Sequence, residues 1–491
     1  MTVQQNGTAE AHGVRGYGWL AALALAGLAL VLRWSTFGDP DLAADETFYH
    51  AVGIAMHHGA LPYVDLWDRK PFGLFVIYWA ITGISTAPIA YQLAATAYAV
   101  LTAWLIGRIA LRWTGRRGAW LAGALYLVWL TPLFGFGGQS PVFYNALVAG
   151  AALLALRVNE AWPNGRARSD AAFAMLVAGL AITVKTSAVF EGACFGLVCL
   201  AAARRAGARP AQLATLAAGW MLLGAAPSLA IAAGYALIGH WSEWWHAMVT
   251  ANLAKGGDWA TSSLRLVMLW RLILPVVLVA AAGLAFTPAR GRSFVGGWLL
   301  AALVGLFAIP NFYPHYALPL LVVLCLAAAP LLGRGLIGLV AALVVAGLGL
   351  KAESPFRPGQ AERSQAVVAE MAAAIRAHDG GHGLLVYAGP AQLYHLSDNP
   401  IPTPLAFETH LSQTSERDVS HIRTVPEMAR LIAARPGAVV VPVAVRNGPA
   451  IPETWEMVQG YVRGNCRLIL TRRVEDWLLY DDLQVWGDCR K

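Results

Sequence analysis

The sequence predicts a polytopic α-helical membrane domain followed by a small soluble α/β domain. Three observations carry that prediction. Of the 491 residues, 57% are hydrophobic and 13% charged, the latter about half the share of a soluble globular protein. A soluble chain of this size has too much surface to wet to hide that much apolar side chain, and the mean hydropathy of +0.54 agrees. The apolar residues also gather into long runs, and these runs stop at residue 351.

The same composition excludes other classes. Disorder and a coiled coil do not fit it, and five cysteines do not make a disulfide framework. The net charge of +8 does not point to nucleic acid. Most basic residues in the membrane part lie in short loops between apolar runs, where they orient a membrane protein.

The runs fall at 17–34, 71–86, 88–111, 118–133, 141–157, 171–184, 188–203, 212–238, 268–287, 294–309, 315–330 and 335–351. They predict 11–13 spans, several shorter than the ~20 residues a straight crossing needs. The first run lacks a small-residue cleavage site and reads as a span rather than a signal peptide. The organisation expected is a membrane domain over 1–351, with an outer loop at 35–70, and an extracytoplasmic domain over 352–491. In the latter, helices are expected at 361–378 and near 425–435. Strands are expected at Leu384–Tyr387 and Ala438–Val443, with a strand or hairpin in Arg467–Trp486.

Orientation follows from the short basic loops. Arg112, Arg116 and Arg117 share one, Arg166 and Arg168 another, and Arg204, Arg205 and Arg209 a third; Arg290, Arg292 and Arg334 follow. With these and the N-terminus in the cytoplasm, 134–140, 185–187, 239–267 and 310–315 face outward with the C-terminal domain. One conflict arises. With 35–70 outside, 71–86 and 88–111 cannot both cross and still return Arg112 inside. Either 71–86 is a partial or re-entrant segment, or the basic loop breaks the rule.

The outward segments hold most of the unusual polar residues. The first loop carries Asp45, Glu46, Tyr49 and His50, then His57 and His58, then Asp65-Leu-Trp67-Asp68-Arg69-Lys70-Pro71. Much of 45–58 predicts an interfacial helix that puts Asp45 and Tyr49 on one face. A carboxylate there can take a proton from a hydroxyl, and Arg69 and Lys70 can hold a phosphate. The same residues also suit a solvated loop with belt aromatics. His315 and Tyr316, in Pro310-Asn-Phe-Tyr-Pro-His315-Tyr316, read equally as belt residues or as ligands of phosphate or sugar. Lys185 interrupts two apolar runs and is a functional candidate by position, although a helix-end Lys also snorkels. Gly135–Asn145 reads as a turn, and 239–262 as an aromatic interfacial helix. The adjacent His57 and His58 cannot aim at one ion from a regular helix. Asp45-Glu46 could bind a divalent cation, but a lipid monophosphate does not demand one where Arg and Lys are available, so no metal and no cofactor is expected. Cys466 and Cys489 flank the predicted hairpin and are expected to form a disulfide in an oxidising compartment; Cys194, Cys199 and Cys325 sit in apolar runs and should stay free.

The order Asp45-Glu46, Asp65-Leu-Trp-Asp68-Arg-Lys70-Pro71, Lys185 and Phe312-Tyr-Pro-His315-Tyr316 resembles a family pattern. It is similar to that of the bacterial GT-C superfamily membrane glycosyltransferases, in the branch of protein O-mannosyltransferases and aminoarabinose transferases. The family often has Lys-Pro-Pro with a Glu before the Lys, where this chain has Phe72 and Arg69. The resemblance implies a GT-C fold, in the bacterial inner membrane with the active site on the periplasmic side. It implies transfer of a sugar from a polyprenyl-phosphate donor to a glycolipid, polysaccharide or protein acceptor, with inversion. It places Asp45 and Glu46 in catalysis and Tyr49, Arg69, Lys70, His315 and Tyr316 at the donor phosphate; His57, His58, Asp68 and Lys185 are secondary candidates. A transporter or flippase of lipid-linked sugars is the alternative; it calls for internal repeats, and none is evident.

Overall fold

The computed structural model describes residues 18–254, 259–445, 448–475, 477 and 480–490. The expected place of the N-terminus, and residues 255–258 of the outward segment 239–267, lie outside the described residues. The chain divides into two units. The first joins Met1–Trp34, Ala94–Ile231 and Gly256–Arg357; the second joins Ser35–Leu93, Ala232–Lys255 and Pro358–Lys491. This division differs from a single cut at 351/352, because the outer loop groups with the C-terminal chain.

Every apolar run forms a helix. In chain order the helices are α1 (Trp19–Arg33), α2 (Ala44–His57), α3 (Phe72–Thr82), α4 (Pro88–Ala110), α5 (Arg116–Leu130), α6 (Ser140–Ala161) and α7 (Gly165–Val184). They continue as α8 (Ala188–Arg205), α9 (Pro210–Leu237), α10 (Trp241–Trp245), α11 (Trp259–Ala285), α12 (Ala289–Phe307), α13 (Leu318–Leu332) and α14 (Gly335–Ala352). Among the described residues, eight helices are long and apolar enough to cross a membrane, and the protein is a multi-pass membrane protein. The larger number expected from sequence counted shorter runs as well. Of these, α3 has 11 residues, about 16 Å of helix against a hydrocarbon core of ~30 Å. It is therefore shorter than a straight crossing needs.

In the first unit the basic loops gather at one end. Arg112 Nε donates to Glu160 at 2.9 Å, Arg205 bonds Asn159, and the Arg334 guanidinium lies 3.6 Å over the Phe286 ring. Gly118 lets α5 and α13 touch there: a Cβ on it would stand 2.9 Å from the Gly333 Cα. At the opposite helix ends lies the turn before α6. Buried Arg33 fixes it, donating to Gly135 O at 2.7 Å, Gly137 O at 2.8 Å and Thr96 Oγ1 at 2.9 Å. An Arg at the end of an apolar helix persists only when its fork is filled in this way.

In the second unit, α2 packs on α3 through Gly53, where a Cβ would meet the Tyr78 carbonyl carbon at 2.8 Å. The C-terminal part adds α15 (Gln360–His378), β1 (Leu384–Val386), α16 (Gln392–Leu396), α17 (Thr424–Ala433), β2 (Ala438–Pro442), α18 (Pro452–Asn465), β3 (Arg467–Glu475) and β4 (Tyr480–Gly487). The sheet order is β1-β2-β4-β3, with β1 parallel to β2 and the other pairs antiparallel. Leu385, Val439 and Val441 form a core with Met428, Leu431, Val458 and Val462 from α17 and α18. The hairpin β3–β4 brings its ends together, and Cys466 and Cys489 form the expected disulfide. Cys194, Cys199 and Cys325 are free.

Candidate active site

The first turn of α2 carries Asp45 and Glu46. Lys70 Nζ lies 3.4 Å from Asp45 Oδ1 and 5.0 Å over the Tyr49 ring. Asp45 and Tyr49 thus share a face at i, i+4 spacing, and Lys70 meets both. Glu46 is fully buried and lies close to Tyr78 and Tyr91.

The loop holds Lys70 by its backbone. Tyr63 Oη donates to Lys70 O at 2.9 Å, and Asp68 Oδ1 accepts from the Lys70 N–H at 3.2 Å and from the Arg69 N–H. Tyr63 itself is buried, at φ 71°, a conformation that a non-glycine residue adopts only where its surroundings enforce it. Here its N–H donates to Leu66 O at 2.7 Å, and its ring meets Phe75 and Tyr235. Tyr49 packs edge-on against Phe75 and Tyr78. Burial, with the nearby negative charges of Asp45 and Asp68, raises its hydroxyl well above the usual tyrosine range. Tyr49 therefore stays neutral and offers a ring face to an ammonium.

Arg69 is committed elsewhere: it pairs with Glu416 and lies over Trp67. Trp67 in turn meets His410 at 5.1 Å between ring centres. His57 stacks on Trp79 and its Nε2 contacts Trp79 O at 2.9 Å. His58 caps the end of α2 through its backbone. The structure therefore brings Asp45, Tyr49, Lys70 and Asp68 together and keeps His57 and His58 at the far end of the helix. His50, buried against Tyr91, is pushed down to about 4 by burial. Among the described residues no group of three or more His, Cys, Asp or Glu could hold a metal ion.

The first unit carries a separate polar cluster. His315 lies between Tyr313 and Tyr316, with ring centres 5.9 and 4.7 Å away. Lys185 Nζ lies 5.1 Å over the Tyr316 ring and the Arg265 guanidinium 4.3 Å over Tyr313. Lys185 and Tyr316 border a small cavity with Pro141, Tyr144, Ser187, Glu191 and Pro319. Through Lys185, Tyr313 with His315, and Arg265, three of the four segments expected outward, 185–187, 310–315 and 239–267, meet in this cluster. Sequence reading missed Arg33, Glu191 and Arg265. Arg33 and Glu191 are each the one charged residue in an apolar run, and that was the available signal; Arg265 lies in the segment 239–267, where a basic residue does not stand out.

No family model matches the chain, and no curated protein sequence matches it. Its fold, by contrast, is that of the GT-C membrane glycosyltransferases, as the sequence resemblance implied. ArnT from Cupriavidus metallidurans bound to undecaprenyl phosphate superposes with a TM-score of 0.63 at 14% identity, over 96% of this chain and 98% of that one. ArnT in the apo state superposes with a TM-score of 0.56 at 15% identity over the same shares.

Proposed function

We propose that the protein is an integral-membrane glycosyltransferase that moves a sugar from a polyprenyl-phosphate donor to an extracytoplasmic acceptor. The observation that carries the reading is the Asp45–Lys70 pair beside Tyr49, set in a chain whose fold matches ArnT, a protein solved with undecaprenyl phosphate. The acceptor hydroxyl attacks the anomeric carbon as the bond from that carbon to the phosphate oxygen breaks, so the carbon inverts. Asp45 takes the hydroxyl proton. Lys70 holds the developing negative charge on the leaving polyprenyl phosphate. Asp68 and Tyr63 keep Lys70 in register by its backbone. Glu46, buried beside the tyrosines, supports α2 rather than touching substrate. Arg69 fixes the loop through Glu416. In the first unit, Lys185, His315 and Tyr316 are assigned to holding the donor lipid. With lysines to neutralise a monophosphate, the step is assigned no metal.

The Cys466–Cys489 disulfide supports an oxidising side for the C-terminal domain, in a bacterial inner membrane the periplasm. The test is transfer of radiolabelled sugar from undecaprenyl-phosphate donors to membrane acceptors by the purified protein in detergent. The expected result is labelled acceptor with wild type and none with Asp45→Asn. Donors that stay intact with every acceptor fraction would overturn the reading.

A further inference from the structure

We propose that Glu191 recognises the donor's sugar, accepting a hydrogen bond from a hydroxyl or ammonium group that enters the cavity of the first unit. The inference rests on the donor reading above and concerns a residue to which that reading gives no task.

Glu191 stands in the first turn of α8 and is 3% exposed. Its Oε1 accepts from Trp298 Nε1 on α12 at 3.0 Å. Its Oε2 has no hydrogen-bond partner among the described residues, and the residue lines the cavity shared with Tyr144, Lys185, Ser187 and Tyr316. A helix N-terminus favours an acid, and the bond to Trp298 links α8 to α12. Those two effects account for one oxygen. They leave the other to a group that enters the cavity.

The cavity leaves about 20 Å³ to the centre of a water-sized group, room for about one water. One hydroxyl or ammonium of a larger molecule therefore fits where a ring does not. A carboxylate only accepts, so Oε2 calls for a donor group and repels phosphate. Lys185 lies over Tyr316 on the wall of the same cavity, where it suits an anion. A molecule with an anionic group and a nearby hydroxyl or ammonium matches both charges, and a sugar phosphate is such a molecule.

The experiment measures binding of three lipids to the full-length protein in detergent: undecaprenyl phosphate, and undecaprenyl phosphate carrying mannose or 4-amino-4-deoxyarabinose. Glu191→Gln keeps the acceptor for Trp298 but turns a donor into the cavity. It should weaken the better-bound sugar lipid about 10- to 100-fold and leave bare undecaprenyl phosphate within about twofold. Trp298→Phe, which removes only the link between helices, should lower thermal stability yet keep the sugar preference. Glu191→Gln that binds all three lipids like wild type, or loses all three equally, overturns the inference and leaves the donor reading standing. If Glu191→Gln does not fold, loss of the sugar preference in Trp298→Phe overturns it. Wild type that binds none of the lipids overturns the donor reading, and this inference with it.

Discussion

Lys70 Nζ lies 3.4 Å from Asp45 Oδ1, with each side chain about one-fifth exposed. At that exposure the two charges still attract more than a surface pair does, and both can reach solvent or substrate. The pair places a cation next to the carboxylate proposed above as the base. A base and an anion holder side by side are what displacement of a phosphate requires.

Asp45→Asn removes the proton acceptor and keeps the shape. Transfer should fall by ~10²–10⁴-fold, while expression and thermal unfolding in detergent stay near wild type. Near-normal turnover would take Asp45 out of the mechanism.

Lys70→Ala should weaken donor use more than acceptor use, and Lys70→Arg less. Tyr63 and Asp68 hold the Lys70 backbone, so the loop survives loss of the side chain. The decisive reading is the donor KM at saturating acceptor. If it does not move, the ammonium serves only Asp45.

His410 is buried between Trp67 and Phe407. Burial pushes it down to about 4, against ~6.5 in an unfolded chain. Between those values the unfolded chain binds more protons, so stability falls as pH drops through that window. His410→Phe should remove on the order of 1–3 kcal/mol of the acid loss between pH 7 and pH 4. Unfolding curves of the variant that fall with pH as steeply as wild type would show that the ring charges freely in the folded state.

Replacing Cys466 and Cys489 together by Ser should destabilise the C-terminal sheet by about 2–4 kcal/mol. The bridge joins residues 23 apart that flank β3 and β4. Hydrogen exchange of the full-length protein reads this locally: β3 and β4 should exchange faster, and α13 should not. Unchanged protection in the hairpin would show that pairing alone holds it.

Much of this fold was legible. The apolar runs gave the membrane helices because 3.6-residue periodicity and length survive without context. The strands at 384–386 and 438–442 showed as short β-branched or leucine-rich runs. The shared face of Asp45 and Tyr49 followed from helix geometry. The conflict among loop charges left a partial or re-entrant 71–86 as one of two readings, and its helix has 11 residues. What stayed hidden depends on distant partners. Arg69 and Lys70 look alike in sequence, yet one meets Glu416, 347 positions away, and the other meets Asp45. Glu191 looks like an ordinary helix-start acid until Trp298 is seen to hold one of its oxygens. Helix α18 carries Thr454, Val458, Tyr461 and Val462 on its buried face, but its polar remainder masks the stripe.

The Arg69–Glu416 pair has company. Trp67 N–H donates to Pro404 O at 2.9 Å and Trp477 N–H to Leu42 O at 3.0 Å; Gln365 Nε2 donates to Gly38 O at 2.9 Å, and Phe48 meets Phe407 edge-on. Residues from the start of the chain and from its last third thus fold as one body, and the chain must travel through the bilayer many times between writing the two halves. During synthesis the segment bearing Asp45 and Lys70 therefore waits without its partners until the C-terminal residues arrive. A chimera that exchanges only residues 352–491 between two such proteins would exchange half of a folding unit.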